Sequence, residues 1–190
     1  MDVDPIAVEN LLPERPRRLR RAEYDQMVAM GMFSDERVEL LQGVLIAMAP
    51  NDPPHASPVE RLAEILTFGV ARRATIRVQL PLIAADESEP EPDLAVVPRA
   101  DYSRAHPSEA LLVIEVADSS LRKDRQVKAP LYAASGFREY WIVNVNARTV
   151  EVHRGPSADG WSTVTRHGRD ETLHLEALPD FPVPIADILR

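Results

Sequence analysis

Two short segments, "DLAVV" (93–97) and "LLVIEVA" (111–117), are apolar on almost every successive residue, the pattern of strands buried on both faces. Upstream, "EYDQMVAMG" places Tyr24, Met27, Val28 and Gly31 at helical spacing and predicts a short amphipathic helix ending near Gly31. "RVELLQGVLIAM" predicts two strands joined around Gln42-Gly43. Ser57, Pro58 and Glu60 form a capping box with proline at the first helical position, and Val59, Leu62, Ala63, Leu66 and Val70 supply the apolar stripe of the helix that follows. "TIRVQLPL" predicts a strand ahead of the acidic loop "AADESEPEP". Ser119 or Ser120 is placed to cap a helix from about Arg122 to Ser135, with Gly136 as its stop and Pro130 kinking or splitting it. "EYWIVNVNARTVEVHR" predicts a hairpin turning near Asn146, "GPSADG" a further turn before "WSTVTRH", and "PIADILR" a short apolar end. The sum is one α/β domain over residues 19–190, a mixed central β-sheet flanked by helices, preceded by a flexible arm over residues 1–18 rich in proline and charge.

Composition narrows the function classes. The 190 residues contain no cysteine, which excludes disulfide scaffolds, thiol catalysis and cysteine-based zinc sites. No apolar run approaches the length of a membrane span, and Met1 to Arg20 lacks a signal-peptide stretch, so a soluble cytoplasmic protein with no membrane partner is expected. The formal net charge of −8 counts against broad non-specific nucleic-acid binding, although acidic residues that hold a divalent metal lower the formal charge while the bound metal restores positive potential. Arg15, Arg17, Arg18, Arg20 and Arg21 crowd one stretch, read either as a solvated lead-in to the first helix or as an arm that touches phosphates.

Two carboxylates stand where apolar strands are expected. Asp93 opens one strand, and Glu115 is the only charged residue in "LLVIEVA". An unpaired ionised carboxylate buried there costs several kcal/mol, so Glu115 either pairs with a cation or opens into a cleft. Two carboxylates from neighbouring strands, with a backbone carbonyl, make an oxygen site for Mg²⁺ or Mn²⁺; the alternative is a buried salt bridge. Asp124, Lys128 and Tyr132 recur every four residues and share a helix face, from which Lys128 can reach back to Glu115; the plainer reading is a solvent-facing Asp124–Lys128 pair. There is no H-E-x-x-H, P-loop, G-x-G-x-x-G or G-x-S-x-G motif, and Ser135-Gly136 reads as a helix end. Tyr140, Trp141 and Trp161 read as packing residues.

The ordered set "EPD", "VIEVADSS", "DRQVK…LYAASGFREYWIVN" and "DERVELLQGVLIAMAP" resembles the Uma-two family, described as restriction endonucleases of the PD-(D/E)XK superfamily, from about Tyr24 to His153. The resemblance implies a restriction-endonuclease-like fold and metal-dependent hydrolysis of phosphodiester bonds in DNA. It makes Pro92-Asp93 the "PD" and Glu115 the second acid. Where the superfamily pattern puts lysine, this chain has Ala117; Lys128 is the migrated replacement and matches the family's D-x-x-x-K. Mg²⁺ or Mn²⁺ would then be held by Asp93, Glu115 and the Val116 carbonyl. Lys128 would align the attacking water or neutralise the transition state. Glu39 matches a family position and is expected to bind metal directly or through water, unless it is a solvent-facing strand residue; Gln79 and His55 are further candidates. A homodimer is expected if two sites cut two strands. Two other classes stay open: a decayed nuclease fold that binds nucleic acid or serves assembly, and a hydrolase of a small phosphoester.

Overall fold

The computed structural model describes residues 16–50 and 52–190; the expected arm over 1–18 lies outside the described residues except for its last three. Those residues and their neighbours are tied down: Arg17 pairs with Glu23, Arg18 donates to the Gln42 carbonyl, and Arg21 pairs with Asp25. Helix α1 (Arg21–Ala29) starts where Glu23 accepts the Arg20 amide, and it is anchored by buried Tyr24, whose hydroxyl donates to the Val38 carbonyl. Strands β1 (Val38–Leu41) and β2 (Val44–Ala47) form a hairpin whose two-residue turn places Gln42 and Gly43 at φ of 50° and 76°. That is the turn geometry matching strand twist, with glycine at the position that favours it.

Helix α2 (Pro53–Val70) begins a turn and a half earlier than the Ser57-Pro58-Glu60 box predicts. Asp52 is the actual cap, accepting the His55 amide, and Pro53-Pro54 occupy the first turn, where no amide partner is needed. Pro58 is therefore inside the helix. The early start matters because it puts His55 on a helix and not in a loop.

A six-stranded sheet follows, β3 (Thr75–Val78), β4 (Leu94–Val97), β5 (Leu112–Ala117), β6 (Glu139–Asn144), β7 (Thr149–Ser157) and β8 (Gly160–Gly168), in sequence order across the sheet. Only β5 and β6 run parallel; the other neighbours are antiparallel, so the sheet is mixed as predicted. "GPS" continues β7 and the turn shrinks to Ala158-Asp159. Alternation along the strands divides two cores. Leu94, Val96, Leu112, Ile114 and Val116 pack with α2, with the hairpin of β9 (Thr172–Leu175) and β10 (Leu178–Pro184), and with α5 (Ile185–Ile188). Ala95, Val97, Val113 and Ala117 pack on the opposite face with Tyr132, Phe137 and Tyr140. Tyr140 and Trp141 are fully buried, and Trp161 donates its indole N–H to the Ala129 carbonyl, so all three have the packing roles expected of them.

The crossover from β5 to β6 carries a distortion the sequence did not locate. It runs as α3 (Leu121–Lys123), a π-helical turn (Asp124–Lys128) and α4 (Ala129–Ala134). Pro130 lies inside this continuous helical run, and the irregularity lies in the turn just before it, where a proline removes the helical donor and crowds the preceding carbonyls. Within the π-turn the Ala129 amide bonds back to the Asp124 carbonyl. In an α-helix residues five apart diverge by about 140°. A five-residue repeat brings them near one another, so Lys123 and Lys128 face the same way.

Candidate active site

Strands β4 and β5 pair with Leu94 opposite Ile114, and continuing that register sets Asp93 opposite Glu115. Both carboxylates belong by alternation to the face covered by the crossover. They line a cleft of about 140 Å³ with His55 from α2 and Lys123, Asp124 and Lys128 from the crossover.

Each carboxylate is fixed through one oxygen. Asp93 Oδ2 accepts the Val116 amide at 2.8 Å and lies 3.1 Å from His55 Nε2. Glu115 Oε1 accepts the Lys128 ammonium at 2.8 Å and the Tyr132 hydroxyl at 2.7 Å. Among the described residues neither Asp93 Oδ1 nor Glu115 Oε2 has a hydrogen-bond partner, and buried Asp124 Oδ1 has none either. The Asp124 and Lys128 side chains are buried, at 1% and 2% residue exposure, so the solvent-facing pair does not form. Asp124 instead accepts from the Ser120 hydroxyl.

Glu39 reaches the cluster from β1 with no solvent exposure. Its oxygens meet Lys123 Nζ and Lys128 Nζ, each at 3.0 Å, and Oε2 also accepts the Glu91 amide at 3.2 Å. The solvent-facing alternative for this residue is corrected by that geometry, and its oxygens are engaged by two lysines. Gln79 is set apart; its amide donates to the Asp93 carbonyl and its side chain does not line the cleft.

The protonation preferences follow from burial and charge. Burial pushes the Glu115 carboxyl well above the ordinary carboxylate range, Lys128 opposing the rise while Asp124, Asp93 and Glu39 add to it. Burial likewise raises Asp124. Burial works against the Lys128 ammonium, but Glu115 and Glu39 outweigh it and keep the lysine charged. Burial also works against the Glu39 carboxylate, but Lys128 and Lys123 outweigh it and hold Glu39 below its usual value. The hydrogen bond to Asp93 raises His55.

Among the described residues no three Asp, Glu or His side chains form a ready-made metal cage. The donor set still suits a hard dication. Two opposed carboxylates that line the cleft each have an unengaged oxygen among the described residues, and four carboxyl groups face two ammonium groups. Mg²⁺ in particular is held through one or two carboxylates, with water and substrate phosphate completing the shell. The Val116 backbone meets this pair through its N–H to Asp93.

Sequence spacing missed Lys123, because a four-residue repeat selects Asp124, Lys128 and Tyr132 only. One compositional signal marks it: among 22 basic residues the chain has just two lysines, Lys123 and Lys128.

Residues 21–186 match the family model of Uma2, described as "Putative restriction endonuclease". Among solved structures, the chain is similar to a "putative nuclease belonging to DUF820" from Anabaena variabilis, with a TM-score of 0.67 at 15% identity. The likeness covers 81% of this chain and 90% of that one. At such identity it bears on the fold, which is α/β of the restriction-endonuclease-like type. No curated protein matches the sequence.

Proposed function

Because the chain belongs to the Uma2 family, we propose that it is a metal-dependent nuclease hydrolysing phosphodiester bonds in DNA, with Asp93 and Glu115 as the acids of its site. The observation that carries the reading is the opposition of these carboxylates across β4 and β5, both lining the cleft and each with one oxygen fixed and one unengaged among the described residues. Asp93, Glu115 and the Val116 carbonyl are the groups that would hold Mg²⁺ or Mn²⁺. A bound dication supplies Lewis-acid polarisation of a phosphoryl oxygen and a lowered pKa for water.

The protein's own part is placement and charge. The Val116 amide and His55 fix the rotation of the Asp93 carboxyl, and Lys128 with Tyr132 fix that of Glu115. Glu39 acts on the site through the two lysines it binds. Hydrolysis adds a hydroxyl to phosphorus and breaks the bond to the 3′ oxygen, which leaves protonated and yields a 5′-phosphate. A homodimer would present two such sites to a duplex.

The alternative of a binding or assembly module on an inactive nuclease fold is favoured by Ala117, which leaves the strand without the superfamily's lysine. One assay separates the readings: nicking of supercoiled plasmid with Mg²⁺, Mn²⁺ or chelator, using wild type and Glu115→Gln. Metal-dependent nicking that disappears in the variant is expected. Absence of nicking with either metal, or equal nicking by the variant, contradicts the proposal.

A further inference from the structure

We infer that Lys123, and not Lys128, is the cation that meets the phosphodiester in this cleft, an assignment that rests on the nuclease reading above. The two lysines share a partner but differ in freedom. The Lys128 side chain is 2% exposed, and its ammonium is held between Glu115 at 2.8 Å and Glu39 at 3.0 Å. Turning it towards a ligand would take from buried Glu115 its one cation among the described residues, a penalty of several kcal/mol on the general scale for uncompensated buried charge. Lys123 lines the same cleft with 35% of its side chain exposed and has, among the described residues, one ionic partner, Glu39 Oε1 at 3.0 Å. If Lys123 swings away, Glu39 keeps both Lys128 and the Glu91 amide. Release of Lys123 therefore leaves no buried charge unpaired.

The charge of the cleft gives that release a purpose. Asp52, Glu91, Asp93, Glu115, Asp118 and Asp124 all line it, while among its described lining residues Lys123 and Lys128 are the only lysines and there is no arginine. An anionic phosphodiester entering this acidic cleft needs a mobile positive group beside the dication. Every other basic residue of the chain is an arginine, so the two lysines meeting at Glu39 stand out chemically as well as by position. An ammonium on a flexible stem can exchange Glu39 for a non-bridging phosphoryl oxygen with little rearrangement. The π-turn makes the arrangement possible by aligning residues five apart.

The scarcity of lysine makes the test direct. Amine-reactive labelling, read by peptide mass spectrometry, reports on two lysines and the α-amino group. Labelling of Lys123 is expected to outpace that of enclosed Lys128. A short DNA duplex at about ten times its Kd, with Ca²⁺ as the cation, should slow Lys123 labelling by about tenfold. In the plasmid assay, Lys123→Gln is expected to lose on the order of 100-fold in nicking rate, as for loss of a transition-state donor. Lys123→Arg should recover much of it, and neither variant should bind Mn²⁺ more weakly than wild type. Nicking by Lys123→Gln within about twofold of wild type, the scale of one exposed ion pair, overturns the assignment. So does Lys123 labelling indifferent to the duplex. If wild type does not nick, the nuclease reading fails, and the labelling still decides whether Lys123 meets phosphate.

Discussion

The Lys128 ammonium lies 3.0 Å from a Glu39 carboxylate that has no solvent exposure, joining the β1–β2 hairpin to the crossover helix. The same nitrogen holds Glu115, so one cation links β1, β5 and the crossover. Buried charges of this kind do little for stability when complete, and cost much when one member is removed.

Lys128→Met is therefore expected to destabilise the fold by about 3–5 kcal/mol, read by urea unfolding. Adding Glu115→Gln to Lys128→Met should recover part of the loss, because Glu115 is the carboxyl left without a cation while Glu39 keeps Lys123. A loss below about 1 kcal/mol, typical of an exposed pair, would contradict the burial of this cation.

A second prediction concerns the packing of α2 on β10. A Cβ added at Gly69 would lie 1.9 Å from the Phe181 ring. Gly69→Ala is expected to cost roughly 1–3 kcal/mol by overpacking. In a Phe181→Ala background the same change should stabilise by up to about 1 kcal/mol, since alanine is the better helix former. Thermal unfolding of the four proteins checks the reversal of sign.

A third prediction concerns pH. Glu89 is buried away from the cleft, and burial, with Asp25 adding and Arg21 opposing, raises its carboxyl to about 7 from 4.5. Between those values the folded protein binds the proton that the unfolded chain releases. The contribution of Glu89 to stability is therefore fully present below the unfolded pKa and is lost as pH rises through the folded one. Glu89→Gln should flatten the decline of stability between those pH values, and a slope unchanged in the variant would contradict the assignment.

The sheet and its acids were legible because they depend on local pattern. A lone glutamate in "LLVIEVA" signals a buried charge, and the apolar runs fix which strands are central. Other features needed tertiary information. The Ser57-Pro58-Glu60 box mimics a helix start, while Asp52 followed by two prolines is the real one. Pro130 marks where the helix is split, but the distortion falls in the turn before it, where the ring meets the preceding carbonyls, and a π-turn there cannot be read from the proline alone. The partners of Glu39 lie far off in sequence, so neither its burial nor its two lysines can be read from "RVELLQG". Lys123 was hidden by the same π-turn, since helical spacing of four passes over it.

The measurement that tests the central claim most directly is Mn²⁺ binding, followed by calorimetry on wild type, Asp93→Asn and Glu115→Gln, with circular dichroism confirming that each variant is folded. Wild type should bind Mn²⁺ at a site that either substitution weakens by about 10–100-fold, the scale of losing a group that holds or orients a metal. Mn²⁺ affinity equal in all three folded proteins would contradict the account.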